Sequence, residues 1–277
     1  ATVGELLAFA GLDFAGASVT IPHKEHLVRL AREDQTRVWE IDPIAGLSGA
    51  ANTMVVREDG SVSVTNTDGA AAVGLLVRVL GNGGGAAKTL QSAQSSRLQW
   101  HESAGAVGSL RGKRIALLGA GGTARGIAAS VVANGGEVAI FARRIEQAEA
   151  IASSFRTAAP GANIEAARLD SFQGDRFQAV VNCTPVGMAG GPDDGGTPLD
   201  MRTIADLPGG MAVMDVVYTP RETAFLKSAR GRGLKTISGV ELFVGQAVEQ
   251  FRLWTGRVMD ESVFHKVLDE TLDGGVA

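Results

Sequence analysis

A glycine-rich segment has the clearest chemistry in the sequence. Residues 119–124 read Gly-Ala-Gly-Gly-Thr-Ala and fit the pattern GxGxxA, after an apolar run and before a helical pattern. In that setting the first glycine permits a tight turn, the second lets the backbone approach a pyrophosphate, and the alanine allows close helix–strand packing. The exposed amides and the helix dipole bind the anion. We therefore predict a dinucleotide site formed by Gly119, Ala120, Gly121, Gly122, Thr123 and Ala124.

Two arginines after the next predicted strand indicate which dinucleotide is bound. Folds of this kind that bind NAD usually have an acidic residue here, which accepts from the ribose 2′-hydroxyl. This chain has Arg143 and Arg144, whose guanidiniums match the oxygens of a 2′-phosphate. One charge-assisted bond of about 1.5–3 kcal/mol favours NADP over NAD by roughly tenfold to a hundredfold. The alternative is a solvated basic helix start, which the helix macrodipole disfavours. We expect NADP as the cofactor.

A lysine and an aspartate on separate segments are candidates for acid–base chemistry. Lys24 follows Ser-Val-Thr-Ile-Pro-His, and Asp68 lies in Asn-Thr-Asp-Gly. Hydride delivery to a ketone leaves a developing alkoxide, which a nearby ammonium can stabilise and protonate. Spacing alone does not separate such a pair from ordinary surface charges. We interpret the flanking His26 as a surface residue and His23 as structural.

These residues need a framework that brings distant segments together. From residue 114 onward, short apolar runs alternate with helical patterns, which indicates βαβ units and a parallel sheet. Before that, two β-rich runs separated by Glu-Asp-Gly predict a hairpin. The predicted strands are 15–20, 52–57, 62–66, 114–119, 137–142, 164–168, 179–182, 211–217 and 234–238. The predicted helices are 2–10, one opened by Pro22, 68–80, 123–134, 145–155, 222–232, 239–254 and 260–271.

Composition excludes several classes of protein. The chain has 277 residues and a net charge of -4 with no basic stripe, so we expect no nucleic-acid partner. No apolar run reaches the roughly 18 residues of a membrane span. A single cysteine, Cys183, rules out an internal disulfide and fits a reducing compartment, so we expect a cytoplasmic protein without a membrane partner. The sequence has no His/Cys cluster of the kind that binds zinc, and we expect no metal.

Several segments, in order along the chain, resemble the shikimate dehydrogenase family. They are residues 18–24, Gly-Ala-Ala-Asn-Thr at 49–53, 66–69, 119–124, Asn-Cys-Thr-Pro-Val-Gly-Met at 182–188, Asp-Val-Val-Tyr-Thr-Pro at 215–220, 239–246 and Gln-Phe-Arg-Leu-Trp-Thr-Gly at 250–256. Together these segments cover nearly the whole chain in the family's order, which makes the resemblance specific.

The resemblance implies an activity and a set of site residues. The activity is the reversible reduction of 3-dehydroshikimate to shikimate by NADPH, as in aromatic amino-acid biosynthesis. Lys24 matches the family's catalytic lysine, and Asp68 matches its partner. Positions that match substrate-binding residues are Ser18, Thr20, Asn52, Tyr218 and Gln246. The Arg143 position matches the family's 2′-phosphate arginine. Further positions expected beside the cofactor are Asn182, Thr184, Met188, Val216 and Gly239.

The resemblance also implies a two-domain α/β fold. The expected domains are an N-terminal substrate-binding α/β domain and a Rossmann-type NADP-binding domain at 109–239, with C-terminal helices returning to the first domain. The substrate domain would comprise 1–80 and 240–277. The Gly-rich, then Gln/Ser-rich stretch at 81–108 is interpreted as a flexible linker or insertion. A homodimer is one expected assembly, and a dehydratase fused upstream is another arrangement that stays open.

Some positions depart from the family's pattern. The family's first strand and its Ser-x-Ser pair, which clamps the substrate carboxylate, have no counterpart before Ser18, so we expect an N-terminally incomplete member, either processed, fused upstream or a fragment. From this we expect NADP binding with little or no shikimate oxidation. Ser18 stands where Asn is common, Ala142 replaces an Asn, and Arg144 replaces a Thr.

Three other interpretations remain open. A quinate/shikimate dehydrogenase that uses NAD would be favoured by an acidic residue at position 143, where this chain has Arg143. A ligand-sensing regulator without catalysis would be favoured by loss of the pair Lys24 and Asp68, both of which are present. The third is an inactive fragment of a longer enzyme.

Overall fold

The computed structural model describes residues 14–81 and 109–273. The predicted helix at 2–10 and all of the predicted linker at 81–108 except Gly81 lie outside the described residues. Within them, the α/β class predicted from the sequence is confirmed: ten strands form two separate sheets.

The first sheet is mixed and contains the predicted hairpin. Its strands are β1 (Gly16–Ser18), β2 (Trp39–Ile41), β3 (Thr53–Val56) and β4 (Val62–Thr65), in the order β1-β3-β4-β2. β3 is antiparallel to both β1 and β4, whereas β2 is parallel to β4. Three helices accompany this sheet: α1 (Lys24–Glu33), α2 (Pro43–Ser48) and α3 (Thr67–Leu80).

The second sheet has six parallel strands in a doubly wound order. They are β5 (Arg114–Leu118), β6 (Glu137–Ala142), β7 (Ile164–Arg168), β8 (Ala179–Asn182), β9 (Ala212–Asp215) and β10 (Lys235–Ile237), in the order β10-β9-β8-β5-β6-β7. The order reverses between β5 and β8, and ligands bind at the carboxyl ends of strands on either side of such a reversal. The associated helices are α4 (Gly122–Ala133), α5 (Ile145–Ala158), α6 (Met201–Ala205) and α7 (Ala224–Gly231).

Two helices follow the second sheet, and the first of them returns to the first sheet. They are α8 (Gly239–Thr255) and α9 (Glu261–Asp273). α8 starts with a capping box formed by Ser238 and Glu241, which satisfies two amides that a helix start leaves without partners. Its last turn bonds to β3, where the Trp254 indole donates to the Met54 carbonyl at 2.9 Å.

The two sheets are joined by close packing of α3 on α4. A Cβ added at Gly69 would lie 2.4 Å from the Gly126 carbonyl oxygen and 2.3 Å from Ser130 Oγ. Helix backbones approach this closely only where both helices have small residues at the crossing. The first turn of α3 therefore packs on α4, the helix that follows the glycine-rich segment.

The structure corrects the sequence-based prediction at three places. Pro22 does not open α1: it lies in a turn in which the His23 amide donates to the Thr20 carbonyl at 2.8 Å, and the helix begins at Lys24. β2 with α2, and α6, were not predicted. The short helix α2 has clear signals, since the Asp42 carboxylate accepts from two amides, proline occupies its first turn, and Gly49 ends it with φ 67°.

Candidate active site

A buried ion pair lies at the centre of the site. Lys24 is the first residue of α1 and Asp68 the second of α3. Nζ of Lys24 is 2.6 Å from Oδ2 of Asp68, and the residues are 9 % and 6 % exposed. The carboxylate in the first turn of α3 also lies at the positive end of the helix dipole. The structure therefore brings together the two residues that the sequence analysis singled out for acid–base chemistry.

Asn52 connects this pair to the returning helix. Its Nδ2 contacts Oδ1 of Asp68 at 2.9 Å, Oε1 of Gln246 at 2.9 Å and Oγ1 of Thr67 at 3.0 Å. Its Oδ1 accepts from the Thr67 amide at 2.8 Å. Asn52 is 1 % exposed, so these bonds fix both ends of a buried amide and thereby the orientation of Asp68.

Gln250 of the returning helix hydrogen-bonds to polar groups of β1 and β3 and to the backbone of Asn52. Its Nε2 contacts Oγ of Ser18 at 3.1 Å, the Asn52 carbonyl at 3.2 Å and Oγ1 of Thr53 at 3.0 Å. Ser18 is otherwise exposed at the end of β1, and Thr20 is exposed two residues further on. Gln250 was not among the predicted site residues, although it begins one of the segments that carry the family resemblance.

The glycine-rich segment forms the tight turn predicted for it and lies next to Lys24. Gly119 has φ 107°, a region that favours glycine, and a Cβ there would lie 2.9 Å from Cγ2 of Thr184. A Cβ at Gly121 would meet nothing within 4 Å, so its backbone is open to a ligand. Ala124 is fully buried. Nζ of Lys24 lies 3.0 Å from Oγ1 of Thr123.

A buried aspartate organises the loop after β8. Asn182 donates to Oδ1 of Asp215 at 2.9 Å, and its own Oδ1 accepts from Oγ1 of Thr184 at 2.6 Å and from the Thr184 amide at 3.0 Å. Asp215 also accepts from Oγ1 of Thr223 at 2.7 Å and from the Val217 amide at 3.0 Å. Burial raises the pKa of Asp215 to about 6, while these hydrogen bonds act in the opposite direction. Asp215 and Thr223 were not among the predicted site residues.

Arg143 lines a cavity of about 320 Å³ between the carboxyl ends of β6 and β7 and the start of α6. The other lining residues are Arg168, Leu169, Asp170, Phe172, Pro198, Leu199, Asp200 and Thr203. Asp170 binds the guanidinium of Arg168 at 2.9–3.3 Å. Arg144 is exposed at the start of α5 and is not among the lining residues. Both arginines are exposed, and of the two it is Arg143 that lines this cavity.

The remaining predicted site residues differ in their exposure. Tyr218 is 44 % exposed and its ring contacts that of Phe243, with centroids 5.0 Å apart. Met188 is 39 % exposed. Val216 is half-buried, and Gly239 is buried where a Cβ would lie 2.2 Å from the Val217 carbonyl oxygen. His23 and His26 are both exposed.

Over residues 14–81 and 109–273, no helix is long and apolar enough to cross a membrane. In the same ranges, no group of three or more His, Cys, Asp or Glu side chains is arranged to hold a metal ion.

The fold and site define a class of protein: a two-sheet α/β protein with a dinucleotide-binding fold beside a buried Lys–Asp pair. A family model described as the Shikimate 5'-dehydrogenase C-terminal domain matches residues 239–268. The NADP(+) shikimate dehydrogenase of Methanosarcina acetivorans is 30% identical over 96% of this chain and 82% of its own length. The bifunctional 3-dehydroquinate dehydratase/shikimate dehydrogenase of Arabidopsis thaliana is 30% identical over 97% of this chain and 40% of its own length.

Solved structures agree with these matches. The shikimate 5-dehydrogenase of Thermus thermophilus, solved with NADP(H) and shikimate, is 26% identical with a TM-score of 0.67, covering 95% of this chain and 81% of that one. The quinate dehydrogenase of Corynebacterium glutamicum, solved with NAD, is 26% identical with a TM-score of 0.71, covering 96% and 81%. This chain belongs to the shikimate dehydrogenase family.

Proposed function

We propose that this chain is an NADP-dependent shikimate dehydrogenase that reversibly reduces 3-dehydroshikimate to shikimate. The observation that carries the proposal is the position of Lys24. Its ammonium is held at 2.6 Å by Asp68 and lies 3.0 Å from Thr123, within the dinucleotide-binding turn. The proton donor therefore lies next to the turn that is predicted to bind the cofactor, as the reduction of a ketone requires.

NADPH supplies the hydride to the substrate carbonyl carbon, and the protein supplies the proton. In the proposed mechanism, Lys24 donates a proton to the developing alkoxide oxygen and accepts it back in the reverse direction. Asp68 keeps the ammonium in place and accepts from a substrate hydroxyl. Asn52 and Gln246, whose side chains are bonded at 2.9 Å, present polar atoms to the substrate, together with Ser18, Thr20 and Tyr218.

The residues at the carboxyl ends of β5 and β6 fit NADP. The open backbone at Gly121 and the first amides of α4 suit the pyrophosphate. β5 and β6 are adjacent strands, so Arg143 follows the neighbouring strand and its cavity can receive the 2′-phosphate. The loop with Asn182, Thr184 and Met188, together with Val216 and Gly239, would face the nicotinamide.

The domain limits and cellular setting belong to the same proposal. The substrate domain comprises 1–80 and 240–277, and the cofactor domain 109–239. The bonds of α8 to Asn52 and Met54 support the return of the C-terminal helices. We assign the protein to the cytoplasm, on its single cysteine. A homodimer and an upstream dehydratase remain proposals, the latter by analogy with the plant relative.

The test is a steady-state assay, with shikimate or quinate and each with NADP or NAD, of a parent protein extended upstream to include the Ser-x-Ser pair. The chain without that extension, assayed beside it, is expected to bind NADP with little or no shikimate oxidation. The expected result for the extended parent is the highest kcat/KM for shikimate with NADP. Lys24→Met, which keeps the length of the side chain but not its charge, should lower kcat by roughly 10²–10⁴-fold. It should leave the Kd for NADP, measured by calorimetry, within about threefold of the parent value. A preference for quinate with NAD, or a Lys24→Met variant that keeps more than a tenth of the turnover, would contradict the proposal.

A further inference from the structure

We propose that Thr123 is a positioning residue: its hydroxyl holds the ammonium of Lys24 in place and joins the acid to the turn that binds the cofactor. The inference rests on the proposed function and adds a residue to it. Thr123 enters the sequence pattern only as one of the variable positions of GxGxxA. That pattern explains backbone contacts to a phosphate and gives no role to the side chain.

The contact joins the half of the molecule that contains the first sheet to the half that contains the second. Lys24 begins α1 beside the first sheet, whereas Thr123 is the second residue of α4, which follows the first strand of the second sheet. Oγ1 of Thr123 accepts from Nζ of Lys24 at 3.0 Å. Beside it, a Cβ at Gly122 would lie 3.1 Å from Cβ of Lys24 and 3.5 Å from its Cδ. The lysine stem therefore packs on one residue of the turn while its ammonium bonds to the next.

Two acceptors define the direction of the third proton. An ammonium has three donors, and here Asp68 takes one at 2.6 Å and Thr123 another at 3.0 Å. The remaining N–H is the one that can face a substrate oxygen. With Asp68 as the only acceptor, the lysine side chain could pivot about that one bond and move Cε, which would change the directions of the other two protons. A second acceptor at Thr123 prevents this pivot and so orients the ammonium.

The same residue can serve two partners at once because it uses different atoms. Its backbone amide belongs to the first turn of α4, where amides have no partner within the helix and an anion can bind. Its side chain points to Lys24. Ordering of the turn by a bound phosphate therefore also orders the hydroxyl, so cofactor binding and acid orientation are coupled through one residue.

The test compares Thr123→Val, which keeps the shape but removes the hydroxyl, with Thr123→Ser, which keeps the hydroxyl. Thr157→Val is the matched control, because Thr157 is an exposed helical threonine on α5. A lost hydrogen bond to a charged group predicts a fall in kcat of roughly ten- to a hundredfold for Thr123→Val. KM for shikimate and Kd for NADP should stay within about threefold, and Thr123→Ser should restore most of kcat. The control should match the parent protein.

A second measurement does not depend on activity. In cofactor-free protein labelled with ¹³C-lysine, the Cε signal of Lys24, assigned by its absence in Lys24→Met, should show greater side-chain mobility in Thr123→Val than in the parent or in Thr157→Val. Unchanged kcat and mobility in Thr123→Val would overturn the inference, as would a raised Kd for NADP with normal kcat at saturation. If Thr123→Val does not fold, Thr123→Ala gives the same comparison. An inactive parent protein would contradict the proposed function, while the labelling result would still decide the role of Thr123.

Discussion

Asn182 and Asp215 are bonded at the carboxyl ends of adjacent strands, with Nδ2 of the amide 2.9 Å from Oδ1 of the carboxylate and both residues fully buried. Three donors reach this carboxylate, and all are neutral: the Asn182 amide, the Thr223 hydroxyl and the Val217 backbone amide. Neutral donors compensate only part of the cost of burying a charge. The loop that carries Thr184 is thus anchored by a group whose ionisation the fold opposes.

Because the fold opposes ionisation of Asp215, we expect the free energy of unfolding to depend on pH. Burial raises the pKa of Asp215 from its ordinary value of 3.8 to about 6, so the fold favours the protonated form. Its contribution to stability is therefore fully present below pH 4 and is lost as pH rises towards about 6. Two pKa units correspond to roughly 3 kcal/mol. The free energy of unfolding in urea should fall between pH 4 and 7 more steeply for the parent protein than for Asp215→Asn.

The difference between the two proteins isolates the effect of Asp215. Other titrating groups are common to both and cancel when one free energy is subtracted from the other at each pH. Thr223→Val, which removes one donor and keeps the carboxylate, should steepen the fall. A parent-minus-variant difference that stays constant over this range would show that Asp215 titrates as it does in the unfolded chain.

Cofactor preference should depend on one of the two consecutive arginines. Arg143 lines the cavity between the ends of β6 and β7 and the start of α6, whereas Arg144 does not. Arg143→Ala should therefore weaken NADP binding by roughly ten- to a hundredfold, the value of one charge-assisted bond, and change NAD binding by less than threefold. Arg144→Ala is the matched control and should leave both near the parent values. Calorimetry would measure the four affinities, and equal losses from the two changes would contradict the assignment to Arg143.

The second sheet was predictable from the sequence for a physical reason. Strands buried on both faces appear as short apolar runs, and those at 137–142 and 179–182 have the predicted limits. The edge strand at 164–168 also has its predicted limits, although only Ile164 in it is buried. β2 escaped prediction because it has only three residues, Trp-Glu-Ile, none of them fully buried. Pro22 was misplaced because a proline near a helix start fits both the preceding turn and the first helical turn.

Which side chains contact each other was harder to predict from the sequence. Lys24 and Thr123 are 99 positions apart, and nothing in either segment specifies their contact. The roles of Lys24 and Asp68 were inferred from resemblance, and their separation of 2.6 Å is a property of the fold. Asp215 gave no signal beyond its place in a recognisable segment, because burial and its neutral donors arise only when β8 and β9 pair.

The crossing of α3 and α4 should not tolerate a methyl group. A Cβ at Gly69 would lie 2.4 Å from a backbone oxygen of α4, and the helices would have to separate. Overpacking of this kind costs about 1–3 kcal/mol. Gly69→Ala should therefore lower the free energy of unfolding and also turnover, because the same turn carries Asp68.

Gly74 provides the control on the same helix. A Cβ there would meet nothing within 4 Å, and replacing glycine by alanine inside a helix stabilises by about 0.5–1 kcal/mol. Urea unfolding should thus give changes of opposite sign for Gly69→Ala and Gly74→Ala. Stabilisation by both changes would mean that the two helices are not in close contact in solution.

The buried ion pair of Lys24 and Asp68 should contribute more to turnover than to the free energy of unfolding. Lys24→Met leaves the Asp68 carboxylate buried without its cation, and Asp68→Asn leaves the ammonium without its anion. Removing one partner of a buried pair costs about 3–5 kcal/mol. The double variant Lys24→Met/Asp68→Asn removes both charges and keeps an oxygen where Oδ1 of Asp68 accepts from Asn52 at 2.9 Å. Neutral or apolar replacements of buried pairs are often harmless to stability, so the double variant should unfold within about 1 kcal/mol of the parent.

Turnover should not recover in the double variant, although its free energy of unfolding should. All three variants lack either the proton donor or the group that holds it, so turnover should stay roughly 10²-fold or more below the parent value. Urea unfolding and a shikimate assay on the same four proteins would separate the two effects through a double-mutant cycle. Additive losses of stability would mean that the charges do not interact, in conflict with a bond of 2.6 Å between two buried groups. Recovered turnover in the double variant would show that the proton comes from another group.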